Sequence, residues 1–283
     1  MSSDWSAYLD AFHARYAGRT EEVLRRCVAG DLTPYRWVLR SVAGRGRRVL
    51  DLACGSGPLT RELASERTPD GGRAHPLVVG IDRSMAELRV ARRRGDVQAL
   101  CADATALPFA DHSFDAVVCS MGLMVVQPLD RALAECARVL RSGGMLAATV
   151  ASPAPLRLSD LVVLAPLTAR LRTPPRFPGG AELTGLAAAL DRAGFDLIED
   201  ARERFAFRVR GEEDAELLLS ALYLPDVTEE RRRSAVRWLA ERAARAGAGR
   251  AHGSRSHRGE ERRERAVGVE VAVPVRRVLA MRR

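Results

Sequence analysis

Between residues 48 and 150, five short apolar runs alternate with amphipathic segments, and each run stops abruptly at small or acidic residues. The runs cover 48–53 (RVLDLA), 77–82 (LVVGID), 97–101 (VQALC), 114–119 (FDAVVC) and 145–150 (MLAATV). Between them, 59–66, 84–94 and 129–141 carry apolar residues at three- and four-residue intervals, the spacing of one helix face. Strands apolar throughout must be covered on both sides, and parallel strands need crossovers. The pattern therefore predicts an α/β fold with an open, doubly wound parallel sheet. Ser84 is placed to cap the second helix, and Gly143-Gly144 to stop the third. Such sheets bind ligands beyond the carboxyl ends of their strands, so the residues just after each strand are the candidates for function.

The first strand ends in Asp51-Leu52-Ala53-Cys54-Gly55-Ser56-Gly57. Glycines there let a ligand touch backbone, and the following helix N-terminus offers free N–H groups. A dinucleotide fingerprint needs a third glycine, and Thr60 stands in its place. A phosphate-binding P-loop needs a lysine, and the chain has none. Asp82 closes the second strand 25 positions after Gly57, where an acid can accept both hydroxyls of a ribose. The alternative is an aspartate that only caps the next helix beside Ser84; following the glycine turn, the ribose role is preferred. Asp103-Ala104, after the third strand, is suited to an adenine amine, or else Asp103 is an ordinary turn residue.

The formal charge is +9, but it is not spread over the chain. Residues 226–283 hold 16 Arg against 8 acidic residues, leaving 29 against 28 for residues 1–225. A nearly neutral body argues against a broad nucleic-acid-binding face. Cys27, Cys54, Cys101, Cys119 and Cys136 are scattered, with no CxxC pair. That is neither a disulfide framework nor a zinc signature, and the five histidines show no metal-ligand spacing, so no metal is expected. The N-terminal MSSDWSAYLDAF has an acid where a secretion signal wants a base, and no run is apolar enough to cross a bilayer. The expectation is a cytoplasmic protein without a membrane span.

Ahead of the first strand, Trp5, Tyr8, Phe12 and Tyr16 share a helical face, which docks the helix on the body or makes it a lid, docking being preferred. Prolines punctuate 151–180 and suggest a connecting segment. Helical patterns at 181–193, 212–222 and 228–246 and an alternating stretch at 197–210 follow, and Val267 to Val275 alternate as a final strand. The organisation expected is one domain over 1–283. Residues 1–45 form N-terminal helices or a lid, 46–151 the cofactor-binding half, 152–246 a substrate-side segment, 247–265 a disordered loop, and 266–283 the last strand.

In their order and spacing, DLACGSG, VVGIDRS, ALCADATALPFADHSFDAVVCS and ARVLRSGG resemble the class I S-adenosylmethionine-dependent methyltransferases, in particular the small-molecule enzymes similar to those of ubiquinone and menaquinone biosynthesis. The resemblance implies a Rossmann-like sheet of seven strands, mostly parallel with an antiparallel last strand, under an N-terminal helical lid. It implies S-adenosyl-L-methionine as cofactor. Asp51, Ala53, Gly55 and Gly57 would lie along its methionine part, with Cys54 and Ser56 of the same turn also binding the cofactor and Asp82 on the ribose. Arg83 and Ser84 would flank the adenine, Asp103 and Ala104 its amine, and Cys119 and Ser120 would line the site near the sulfonium. Asp115, at the start of the fourth strand, is expected to be structural. Many relatives carry a His-His pair after that strand, whereas this chain has Met124-Val125. No catalytic residue is identifiable, and catalysis by positioning, without an essential base, is expected.

The reaction implied is in-line methyl transfer to a small, apolar or aromatic metabolite. The competing readings are an RNA or protein methyltransferase anchored by the basic tail, and an S-adenosylmethionine-binding protein without catalysis. The tail's acids interrupt its arginines, as in a solvated linker, and with no Asn the Asn-Pro-Pro-Tyr motif of nucleic-acid amino-methylating enzymes is absent.

Overall fold

A computed structural model describes residues 5–44, 46–65, 77–180, 182–248 and 268–283. The described residues begin with three helices, α1 (Trp5–Tyr16), α2 (Arg19–Arg26) and α3 (Pro34–Leu39). The alternation then runs β1 (Arg48–Leu52), α4 (Pro58–Ala64), β2 (Leu77–Asp82), α5 (Met85–Arg94), β3 (Ala99–Cys101), β4 (Phe114–Ser120), α6 (Leu129–Val139) and β5 (Leu140–Ala151). After it come α7 (Leu158–Leu171), a 3-10 turn (Glu182–Gly185), α8 (Leu186–Arg192), β6 (Phe195–Val209), α9 (Glu212–Ser220), α10 (Glu229–Ala248) and β7 (Val269–Arg282).

The seven strands form one sheet in the order β3-β2-β1-β4-β5-β7-β6. β7 runs antiparallel to both its neighbours, and the other pairings are parallel. The strand order reverses between β1 and β4, so their carboxyl ends part there and leave a crevice. Both faces of the sheet are buried. Leu50 and Leu52 of β1 and Leu133 of α6 are completely enclosed in one cluster, each such leucine contributing about 1.5–3 kcal/mol. Ser84 caps α5 as expected, accepting from the Glu87 N–H at 3.4 Å.

Two expectations need correcting. The helix expected over 129–141, α6, stops at Val139, because Leu140 turns extended and is buried as the first residue of β5; Gly143 and Gly144 lie inside that strand. The proline-punctuated segment is not a mere connector, since it carries α7 with Pro166 inside. Proline costs a helix one hydrogen bond, offset here as Val163, Leu167 and Leu171 are buried beside α10 and β7. Of the stretch 247–265, residues 247 and 248 extend α10 and the rest lies outside the described residues. No described helix is long and apolar enough to cross a membrane.

β7 is sandwiched between β5 and β6 although Arg276 and Arg277 stand at its middle. Arg276 is bound by both oxygens of Asp200 at 2.8 and 2.7 Å, and Arg277 donates to Glu199 at 2.6 Å. Buried charge is tolerated there because each guanidinium is paired. At the opposite end of the sheet from the crevice, Asp115 accepts the backbone N–H groups of Arg47 and Arg48 at 2.7 and 3.0 Å, a structural role that anchors the entry to β1.

Candidate functional site

A cavity of about 310 Å³ lies beyond the carboxyl ends of β1, β2, β3 and β4. The end of β1 contributes Asp51 to its wall, and the turn that follows contributes Ala53, Cys54, Gly55 and Ser56. The turn passes through left-handed backbone at Ala53 and Gly55 (φ 53° and 54°), which brings backbone rather than side chain to the surface. Space behind it is equally tight. A Cβ on Gly122 would come within 2.6 Å of both the Ala53 methyl and the Cys119 sulfur, so only glycine lets β4's exit pass under the turn.

Asp82, Arg83 and Ser84 line the cavity after β2, Asp103 and Ala104 after β3, and Ser120 at the end of β4. Two expected residues do not. Gly57 instead precedes α4 as its N-cap in a left-handed conformation (φ 79°), and Cys119 is fully buried, packed in the core cluster with Leu50, Leu52 and Leu133. Met121, after β4, lines the cavity, while Met124 is core. The loop after β3 is pinned by Arg138 of α6, whose guanidinium donates to the carbonyls of Leu107 and Phe109 at 3.0 and 2.7 Å.

Among the carboxylates that line this space, the three at the strand ends are in different states. Burial pushes the Asp51 carboxyl up to about 7, against a 2.6 Å hydrogen bond from the Thr60 hydroxyl. Burial also raises Asp82, opposed by the backbone N–H groups of Ser84 and Gly55, each 2.8 Å from one of its oxygens. Asp82 thus ties the two turns together, while the cap of α5 is Ser84 rather than Asp82. Asp103 is lowered, chiefly by the Thr105 N–H at 2.8 Å.

The N-terminal helices form the rest of the wall. Phe12 docks α1 into the core, while Trp5, Leu9 and His13 face the cavity, so the helix both docks and covers. Glu21 of α2 is buried and accepts from Ser56 at 2.6 Å, Arg25 at 2.8 Å, Arg61 at 2.5 Å and Arg94 at 2.7 Å. Burial opposes its ionisation, but these donors outweigh it and hold the carboxyl down at about 2. α2 is thereby fastened to the glycine turn.

Sequence reasoning missed Glu87 and Tyr223, and gave His13 no partner. His13 Nδ1 lies 3.0 Å from Glu87 Oε1, and its Nε2 is 3.4 Å from the Tyr223 hydroxyl. Glu87 had one signal: it sits on the first turn of α5, five residues after Asp82, at the ligand end of the sheet. Tyr223, beyond α9, had none.

Residues 50–148 match the family described as "Methyltransferase domain". A demethylmenaquinone methyltransferase of Renibacterium salmoninarum is 48% identical over 102 residues, 36% of this chain and 40% of the relative. One from Thermobifida fusca is 37% identical over 167 residues, 56% of this chain and 65% of the relative. The chain thus spans 40% and 65% of the length of these two curated relatives. The crystal structure of the [4+2]-cyclase SpnF superposes with a TM-score of 0.53 at 21% identity, covering 97% of this chain and 95% of that one. That likeness establishes the fold.

Proposed function

From the methyltransferase domain carried by residues 50–148, we propose that this protein is an S-adenosylmethionine-dependent methyltransferase acting on a small, apolar or aromatic metabolite. The observation that supports this best is the convergence of Asp51, Asp82 and Asp103, from three successive strand ends, on one cavity. The three acceptors suit the cofactor's parts: a buried carboxylate for an ammonium, a second for ribose hydroxyls, and an exposed third for an adenine amine. The turn at Gly55 adds a surface without side chains.

The chemistry a bound cofactor supplies is an electrophilic methyl group on a sulfonium sulfur. The chain's own residues do the rest by holding and excluding. Asp51, Ala53, Cys54, Gly55 and Ser56 would hold the methionine part, and Asp82 the ribose. Arg83, Ser84, Asp103 and Ala104 would surround the adenine, with Ser120 near the sulfur. Trp5 and Leu9 of α1 and Val125 and Val126 after β4 give the remaining wall an apolar character, which suits an apolar acceptor and keeps water out. The curated relatives, named for demethylmenaquinone, favour an aromatic ring system of that kind. Buried, unpaired thiols at Cys27, Cys54, Cys119 and Cys136 are compatible with a cytoplasmic location.

Calorimetric titration with S-adenosylhomocysteine tests the reading, with NAD as control ligand and Asp82→Ala alongside. Binding of the first alone, lost in the variant, is expected. A preference for NAD, or no binding, refutes it.

A further inference from the structure

We infer that the outer face of α7, at the cavity end of the sheet, docks this protein on an anionic lipid surface. The inference goes beyond the methyltransferase reading and does not depend on it.

α7 is apolar on two sides. Val163, Leu167 and Leu171 are buried beside α10 and β7. On the other side, Leu158, Leu161 and Val162 are 85%, 47% and 55% exposed, and the row continues through the exposed Ala165 and Ala169. This spacing keeps the five on one helix face, a stripe about 16 Å long. Leu156, just ahead of the helix, is exposed as well. A surface helix ordinarily turns polar residues outward opposite its buried stripe, so a contiguous aliphatic stripe there marks a contact. The rest of the chain does not supply the cover. Residues 1–4, 45, 66–76, 181 and 249–267, which lie outside the described residues, contain no Leu, Ile, Phe, Tyr or Trp.

Charge selects the occupant. Between residues 153 and 172 the only acid is Asp160, which is buried and held by Arg204 at 2.8 and 2.5 Å. Arg157 and Arg172 are exposed at the two ends of the stripe. On its flank, Arg170 and Arg242 both lie over the Trp238 ring of α10. A second copy of the chain fits poorly, because either direction of helix pairing sets arginine against arginine at both ends. A bilayer surface with negative headgroups satisfies both features. The aliphatic side chains enter the headgroup boundary, and the arginines stay level with the phosphates. The stripe also has a defined place in the fold. Asp160 ties the first turn of α7 to Arg204, which pairs across the sheet with Pro274, and the Pro274 carbonyl accepts the Ser152 N–H at 3.0 Å. The stripe therefore begins at the carboxyl end of β5, level with Ser120 on the cavity wall.

Co-sedimentation of the full chain with sucrose-loaded vesicles tests this, comparing phosphatidylcholine alone with phosphatidylcholine mixed with phosphatidylglycerol. Binding to the mixed vesicles is expected, and about tenfold or more weaker binding to phosphatidylcholine alone. Leu158→Ser combined with Leu161→Ser should lower the partition constant about tenfold or more, with the melting temperature unchanged because both side chains are exposed. Arg157→Gln combined with Arg172→Gln should weaken binding to the mixed vesicles and flatten its salt dependence. If the serine variant melts early, wild-type protein labelled from the bilayer by a lipid with a photoreactive acyl chain decides: adducts within 156–165 support the inference, and adducts only elsewhere overturn it. Wild-type protein that leaves the mixed vesicles unbound overturns it. So does equal binding by wild type and serine variant, which puts the contact elsewhere in the chain. A dimer in sedimentation equilibrium that the serine variant dissociates assigns the stripe to a second copy and overturns it too.

Discussion

If Asp51 faces the cofactor's ammonium as proposed, cofactor binding should depend on pH in a way set by its surroundings. Its side chain is 1% exposed, and burial holds its carboxyl at about 7 in the free protein. An ammonium placed against it favours the ionised form, so binding selects the deprotonated fraction and releases a proton. At about pH 6 roughly a tenth of Asp51 is ionised, against about nine tenths at about pH 8. The apparent Kd for S-adenosylhomocysteine should therefore rise about tenfold on lowering the pH across that range, equivalent to about 1.4 kcal/mol. Titration calorimetry in two buffers of different ionisation enthalpy reads this directly, since at about pH 7 roughly half a proton per ligand should pass to the buffer. Asp51→Asn should bind more weakly at high pH and lose the dependence. Affinity that is flat over this range, or that improves on acidification, would refute the pairing of Asp51 with an ammonium.

Glu21→Gln should destabilise the fold by about 3 kcal/mol or more, seen as a lower chemical-denaturation midpoint, because it leaves Arg61 without its carboxylate beside the glycine turn and Arg94 with Glu22 alone. Since the carboxyl is held at about 2, its stabilisation is complete above the ordinary carboxylate range and should be lost as pH falls from about 4.5 toward 2. Gly122→Ala should weaken S-adenosylhomocysteine binding, measured by titration, more than it lowers the melting temperature, because its methyl displaces Ala53 on the cavity wall; an unchanged Kd would contradict the contact. Leu50→Ala, in the centre of β1, should cost about 2–5 kcal/mol in urea unfolding with the cavity residues untouched.

Local chemistry made much of the molecule legible. Apolar runs of strand length separated by helical periodicity admit few arrangements other than a covered parallel sheet, and such a sheet brings every strand's carboxyl end to one side. For that reason Asp51, Asp82 and Asp103, more than fifty positions apart from first to last, could be assigned to one site from the chain alone, and the cavity contains all three. Short-range rules failed where tertiary packing overrode them. Gly143-Gly144 lies in β5 because burying Leu140 as a strand residue outweighs a helix-stop signal, and α7 keeps Pro166 because its apolar face is covered. Cys119 stands next to Ser120 in sequence, yet strand alternation sends one into the core and leaves the other on the cavity wall.

What local pattern determined was the sheet and the strand-end half of the site, since both follow from periodicity and from residues adjacent to strands. What the tertiary structure alone decided was the other half. His13 meets Glu87 across 74 positions and Tyr223 across 210, and Glu21 reaches Ser56 across 35. Neither His13 nor Tyr223 belongs to a motif, because a hydrogen bond constrains only where two side chains end, and chains of many sequences can deliver them there.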